Sequence, residues 1–292
     1  MRLFGAHMSI AGGHALAIER ATSFDMTACQ IFTKNANQWT AKPIAAEGAA
    51  QFQERLADSD VAFVVAHDSY LINLASPDEA LRARSLAAFR DELERCGQLG
   101  VTWLVTHPGA HVGSGVEEGI ARVALALNQL FAELPELAVT VLLETTAGQG
   151  STLGRTFEEL VGILALVDDQ RRVGVCFDTC HVFAAGYDLR DADSYEATMR
   201  SFGEVIGFER LHVLHLNDSK KGLGTHVDRH ANIGEGELGA EAFRLLLQDE
   251  RLAHLPGILE TPKGDDGEDD RRNMAVLREL AGIGSDPAPT EA

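Results

Sequence analysis

Val173-Gly174-Val175-Cys176-Phe177-Asp178 is a short apolar run, rich in β-branched residues, that ends on a carboxylate. Such a run reads as a buried strand. The same pattern recurs at Leu3–His7, Cys29–Thr33, Phe63–His67, Trp103–His107, Val139–Glu144, Leu211–Asn217 and Gly257–Glu260. Amphipathic stretches with recognisable helix starts lie between these runs. Ser76-Pro77-Asp78-Glu79 offers a capping residue, a first-turn proline and a third-position acid ahead of Leu81, Leu86, Phe89 and Leu93. Thr156-Phe157-Glu158-Glu159 opens another helix in the same way, ahead of Leu160, Ile163 and Leu164. Eight strands, each followed by a loop or helix, in about 280 residues predict the α/β class and a single (β/α)8 TIM barrel. The barrel is expected over residues 1–284, with 285–292 a disordered, proline-bearing tail. A doubly wound open sheet is the competing architecture. It lacks support, because Gly12-Gly13 has neither the spacing nor the context of a phosphate loop.

The 292 residues are 45% hydrophobic and 24% charged, enough apolar material for a full core. Acids outnumber bases by 44 to 25, for a net charge of −19, which excludes indiscriminate binding to polyanions. No apolar run approaches the roughly 18 residues that span a bilayer, and the N-terminus lacks the pattern of a secretory signal. Cys29, Cys96, Cys176 and Cys180 are too few for a disulfide framework and read as structural thiols, so a cytoplasmic, membrane-free protein is expected.

The strand ends carry the chemistry. His7, Thr33, His67, His107, Glu144, Asp178, His215 and Glu260 stand there, and in a barrel of this type all strand C-termini open onto one face. A lone histidine at a strand end is ordinarily a hydrogen-bonded loop residue. Seven imidazoles and carboxylates at matching positions instead predict a metal cluster at that face. Two loops add donors: His181 follows Asp178 by three, and Asp228 and His230 sit two apart, sharing a face in an extended chain. Five imidazoles and four carboxylates (His67, His107, Glu144, Asp178, His181, His215, Asp228, His230 and Glu260) exceed what one ion can use. Mixed nitrogen and oxygen donors suit zinc, manganese or iron better than magnesium or calcium. Two or three ions held this way point to phosphoryl chemistry.

Several blocks resemble endonuclease IV. They are Phe32-Thr33-Lys34-Asn35, His67-Asp68-Ser69-Tyr70-Leu71-Ile72-Asn73-Leu74, His107-Pro108-Gly109, Glu144-Thr145-Thr146-Ala147-Gly148-Gln149-Gly150, Val175 to His181, His215-Leu216-Asn217-Asp218-Ser219-Lys220 and Val227-Asp228-Arg229-His230. They run in order through nearly the whole chain. The resemblance implies a monomeric DNA-repair endonuclease that hydrolyses the phosphodiester 5′ to an abasic site in double-stranded DNA. A zinc-activated hydroxide would leave a 3′-hydroxyl and a 5′-deoxyribose phosphate. It implies three Zn2+ ions per chain, with Mn2+ admitted at one site. His67, His107 and Glu144 would hold the first. Glu144, Asp178, His215 and Glu260 would hold the second, and His181, Asp228 and His230 the third. Glu144 and Glu260 would be the catalytic carboxylates. Lys34, Asn35, Asn37, Gln38, Tyr70, Lys220 and Arg229 would contact DNA, with Tyr70 as a wedge.

Two positions depart from the family pattern. Asn37 stands where an arginine often fills the duplex gap, and Thr145 where asparagine commonly follows the bridging glutamate. All five lysines (Lys34, Lys42, Lys220, Lys221 and Lys263) fall in loops after strands 2, 7 and 8, whereas acids such as the 265–270 run are expected elsewhere. This predicts a positive face on an acidic molecule, and DNA affinity that falls steeply with salt. Among the other histidines, His7 is a candidate for phosphate or for support of the ligands. His212, three before His215, is expected on the opposite face against a helix. His14, His111, His226 and His254 read as surface or loop residues. Sugar isomerases of the xylose-isomerase type are the leading alternative, but they predict few imidazoles and a lysine near the metals. A non-catalytic metal-dependent nucleic-acid binder would need no more than four ligands.

Overall fold

Alternation of side chains along each strand decides what this chain buries and where. The computed structural model describes residues 2–264 and 267–283, so the expected tail at 285–292 lies outside the described residues. The strands are β1 (Phe4–His7), β2 (Ala28–Phe32), β3 (Phe63–His67), β4 (Trp103–Thr106), β5 (Thr140–Glu144), β6 (Val173–Asp178) and β7 (Leu211–His215), followed by β8 (Asp218–Ser219), β9 (His230–Ala231) and β10 (Gly257–Leu259). Eight of them close a parallel barrel in the order β1-β10-β7-β6-β5-β4-β3-β2. β8 and β9 form a separate antiparallel pair in the long connection after β7. The helices are α1 (Ala15–Thr22), α2 (Ala46–Ala57), α3 (Glu79–Leu99), α4 (Val116–Glu133), α5 (Phe157–Leu166), α6 (Thr179–Ala185), α7 (Ala192–Val205), α8 (Gly239–Gln248) and α9 (Glu268–Leu280). Among the described residues no helix is long and apolar enough to cross a membrane.

Residues facing outward from the strands, such as Ile31, Leu104, Leu143, Phe177 and Leu214, pack with the helices into one large apolar layer. The inward-facing residues form a second, separate core. Ala28, Val65, Val105, Leu142, Cys176, Val213 and Ile258, one from each of seven strands, make a fully buried plug, with Leu3, Phe63 and Trp103 packed against it. The eighth strand contributes Gly5, where an added Cβ would lie 1.8 Å from the carbonyl oxygen of Ala28. The site is the layer directly above this plug, because the period of two puts Gln30, His67, His107, Glu144, Asp178, His215 and Glu260 two residues beyond it.

Local expectations are met with corrections at the element ends: β1 begins at Phe4, β2 runs from Ala28 to Phe32, β4 ends at Thr106, β5 begins at Thr140 and β10 ends at Leu259, each one residue from the expected bound. Thr156 caps α5 through the amide of Glu159, as expected. The cap of α3 is Asp78, which accepts from the Leu81 amide, while Ser76 instead accepts from the amide of Asp78. β7 ends at His215 rather than Asn217, since the chain turns there into the β8–β9 hairpin. All four cysteines are buried free thiols.

Candidate metal centre

Glu144 ends β5, is fully buried, and lies at the middle of the cluster. Its Oε2 lies 3.2 Å from His67 Nε2 and 3.3 Å from His107 Nε2. Its Oε1 lies 3.1 Å from His181 Nδ1 and 3.2 Å from His215 Nδ1. Burial alone would raise this carboxyl, but the surrounding imidazoles, His215 and His107 foremost, hold it well below the usual range. Glu260 is likewise opposed by burial and held well below its usual range by His215, whose Nδ1 is 3.3 Å away. Donor atoms of His67, His107 and Glu144 converge within metal-chelating reach, as do those of Glu144, Asp178, His215 and Glu260. Glu144 belongs to both groups, which fits a carboxylate shared by two ions.

The third expected group is more open. His181 Nε2 and His230 Nε2 each lie 3.3 Å from a different oxygen of Asp228. His181 and His230 also converge with Asp178, and Asp228 and His230 with Cys180. Both Nε2 atoms are buried without a hydrogen-bond partner. Such orphaned nitrogens are costly unless something binds them. Burial would raise the Asp228 carboxyl, but the facing His181 and His230 rings hold it down to about 2. Burial pushes the Cys180 thiol up to about 12, so it stays protonated beside this group.

Main-chain carbonyls set the imidazole tautomers. Nδ1–H of His67 donates to Asp68 O at 2.9 Å, that of His181 to Thr145 O at 2.9 Å, and that of His230 to Glu260 O at 3.0 Å. Each bond leaves an Nε2 lone pair aimed into the cluster, the orientation a metal ligand needs. His215 is turned the other way. Its Nε2–H donates to Gln30 Oε1 at 2.8 Å, so Nδ1 faces the carboxylates.

Residues that had drawn no functional expectation hold the ligands in place. Gln30 donates from Nε2 to Glu260 Oε1 at 2.5 Å and to His7 Nδ1 at 2.9 Å, so His7 supports the ligand layer through Gln30. Counting two residues on from Ala28, as for every other strand, would have found it. Asn217 donates from Nδ2 to Asp178 Oδ2 at 2.6 Å and accepts the Glu260 amide at 2.8 Å. Thr145 Oγ1 accepts the Asp178 amide at 2.9 Å, so this departure from the family pattern still supports the ligands. Asp68 accepts from Thr106 Oγ1 at 2.7 Å, and burial pushes its carboxyl up to about 8. The buried carboxylate of Asp218 accepts the amides of Gly234, Gly236 and Leu238, each at 3.0 Å, and so orders the segment after His230.

Other expectations change. Thr33 lies outside the cluster, its hydroxyl donating to Glu92 of α3. Lys34 is buried, with Nζ 2.5 Å from Asp91 and 3.2 Å from Glu92, so its ammonium is consumed inside the protein rather than offered to DNA. Lys263 is paired with the buried Asp270 at 2.5 Å. The acidic residues heading α9 follow β10 and therefore share the cluster's end of the barrel, contrary to the expected segregation. The expected positive face reduces to the exposed Lys42, Lys220, Lys221 and Arg229. His212 does not pack against a helix. The β6–β7 register skips it, pairing Val175 with Leu211 and Cys176 with Val213. This bulge aims its ring at Trp103, with centroids 4.8 Å apart, at the floor of the barrel.

Tyr70 is 58% exposed and stands over the first group, its ring centroid 5.5 Å from His67 and 6.2 Å from His107. It borders a cavity of about 460 Å³ also lined by His7, Ile10, Phe32, Asn37 and Glu260. Asn35, Asn37 and Gln38 are exposed in the loop after β2, where Asn35 Oδ1 accepts the Asn37 amide at 2.9 Å.

Comparison with known proteins identifies the fold and the family. Residues 18–280 match the family described as xylose isomerase-like TIM barrel. The protein named "Probable endonuclease 4" of Chloroflexus aggregans is 55% identical over 97% of this chain and 99% of its own. The crystal structure of endonuclease IV from Thermus thermophilus superposes with a TM-score of 0.83 at 36% identity, covering 97% of this chain and 100% of that one. A D-tagatose 3-epimerase-like protein shares the fold alone, with a TM-score of 0.72 at 20% identity over 96% of this chain and 97% of that one. The chain belongs to the endonuclease IV family, the DNA-repair endonucleases built on a (β/α)8 barrel.

Proposed function

We propose that this enzyme hydrolyses the phosphodiester 5′ to an abasic site in double-stranded DNA, acting as a monomer with three zinc ions, manganese being admitted at one site. The products are a 3′-hydroxyl and a 5′-deoxyribose phosphate. The observation that carries this reading is the position of Glu144, a buried carboxylate common to two convergent ligand groups at the open end of the barrel. Bound divalent ions supply Lewis-acid polarisation of the phosphate and lower the pKa of water toward neutrality. The residues fit such ions. Four carboxylates gather around five imidazoles, and the Nε2 atoms of His181 and His230, each 3.3 Å from an Asp228 oxygen, are buried without a hydrogen bond of their own.

In this reading Glu144 and Glu260 are the catalytic carboxylates. Both are held ionised, so they keep cations and water in register and do not act as acids near neutral pH. Tyr70 is the aromatic that enters the duplex beside the lesion. Asn37 and Gln38 supply polar contacts to the gap in place of arginine, with Asn35 shaping their turn. Lys220 and Arg229, on the β8–β9 hairpin, face the phosphates. Each neutralised phosphate should steepen the salt dependence of binding.

Incubating the protein with a duplex bearing one abasic site, with and without a strong chelator, tests the reading. A single chelator-sensitive cut on the 5′ side supports it, together with two to three ions per chain by elemental analysis. An intact duplex alongside conversion of a ketose or aldose would replace it with the isomerase reading.

A further inference from the structure

The loop from 34 to 42 carries the exposed Asn35, Asn37 and Gln38, and both of its ends are fastened to one side chain of α3. Arg95 is buried. Its Nη1 lies 3.5 Å from Thr33 O at the start of the loop, and its Nη2 donates to Lys42 O at 2.5 Å at the end. Its Nε donates to Asp91 at 3.0 Å, and Asp91 in turn holds Lys34. Between these ends, Ser69 Oγ donates to Ala36 O at 2.5 Å.

We infer that Arg95 is a positioning residue that clamps this loop at both ends, so that Asn37 and Gln38 stand ready when duplex DNA arrives. A planar guanidinium spreads five donors over three nitrogens in a rigid fork, so it can reach two separate carbonyls and a carboxylate from different sides, a span that the single nitrogen of an ammonium does not cover. A loop tied at both ends to one helix loses less conformational freedom on binding. The inference rests on the abasic-duplex reading, because it assigns the loop tip to the duplex gap.

The test compares Arg95→Met and Arg95→Lys with the wild-type holoenzyme on the same abasic lesion in duplex and in single-stranded DNA. Only the duplex has a gap for the loop to fill. In Arg95→Met, kcat/KM should fall about tenfold or more on the duplex, but less than about twofold on the single strand. Arg95→Lys, which keeps a cation near Asp91, should fall between Arg95→Met and wild type, and carries the test if Arg95→Met does not fold. Hydrogen exchange should quicken at the amides of residues 35–42 in both variants and stay unchanged in the barrel strands. Equal losses on both DNAs, or unchanged exchange in the loop, would overturn the clamp. A wild-type enzyme that cuts neither DNA would instead overturn the abasic reading, and the exchange measurement would still decide the clamp.

Discussion

Two clusters of buried charge in this barrel are assembled on opposite terms. Around Lys34, Glu92, Asp91 and Arg95, between the loop after β2 and helix α3, each cation meets carboxylates or carbonyls of the protein itself. Around Glu144, carboxylates and imidazoles from the ends of six barrel strands and from the segments after β6 and β7 converge, yet three buried ring nitrogens of this layer, the Nε2 atoms of His7, His181 and His230, remain without a hydrogen-bond partner. The first cluster is complete in the polypeptide and holds a loop. The second brings donor atoms together without closing them on one another. Buried polar groups are nearly always satisfied, so a dense cluster with orphaned lone pairs marks binding chemistry, whereas a saturated one marks architecture.

Breaking the shared carboxylate should have the largest effect. Glu144→Gln should lower turnover on abasic duplex by roughly a thousandfold, the scale of losing a central electrostatic group. Elemental analysis should show at least one ion lost per chain. In the saturated cluster, Glu92→Leu leaves Lys34 short of a buried partner and should destabilise the fold by about 3–5 kcal/mol in denaturant titration. The double change Lys34→Met with Glu92→Leu should recover much of that loss, because it removes both buried charges and leaves Asp91 paired with Arg95. No such recovery is expected for Glu144, which belongs to two convergent donor groups at once. Asn217→Ala removes the support of Asp178 and Glu260, and should weaken metal affinity about 10- to 100-fold with little change in fold stability.

Proton occupancy sharpens the contrast further. Burial would lower the His67 imidazole from its ordinary 6.5, but the hydrogen bond and charge of Glu144 raise it to about 9. A raised basic group stabilises the metal-free fold fully below about 6.5 and loses that contribution as pH climbs through about 9. Chelated protein should therefore melt at a lower temperature at pH 9.5 than at pH 6.5, whereas zinc uptake should strengthen over the same rise because it displaces protons. The smallest effect concerns Cys180. Its thiol lies near Asp228 and His230 but is held protonated, so Cys180→Ser should leave metal stoichiometry unchanged.

All nine expected ligand residues lie at one end of the barrel, and the reason is periodic. Strands repeat every two residues, so a polar residue ending an apolar run is forced into the barrel mouth, and His67, Glu144 and Asp178 were legible on that ground. Gln30 was not, because β2 ends one residue earlier than its apolar run suggests, and an amide draws less notice than an imidazole. His212 was misplaced for a related reason, since a bulge breaks the count of two. Lys34 sits among polar loop residues like any exposed lysine, and nothing local shows that α3 brings Asp91 and Glu92 to it from more than fifty positions away.

The sequence by itself determined the barrel and the inventory of donors, since short-range alternation and strand-end chemistry are local properties of the chain. Tertiary structure alone decided which donors converge, which ring nitrogen each histidine turns toward the cluster, and which charges are already paired. Those depend on distances of 3 to 4 Å between residues far apart in sequence, and only the closed barrel sets them.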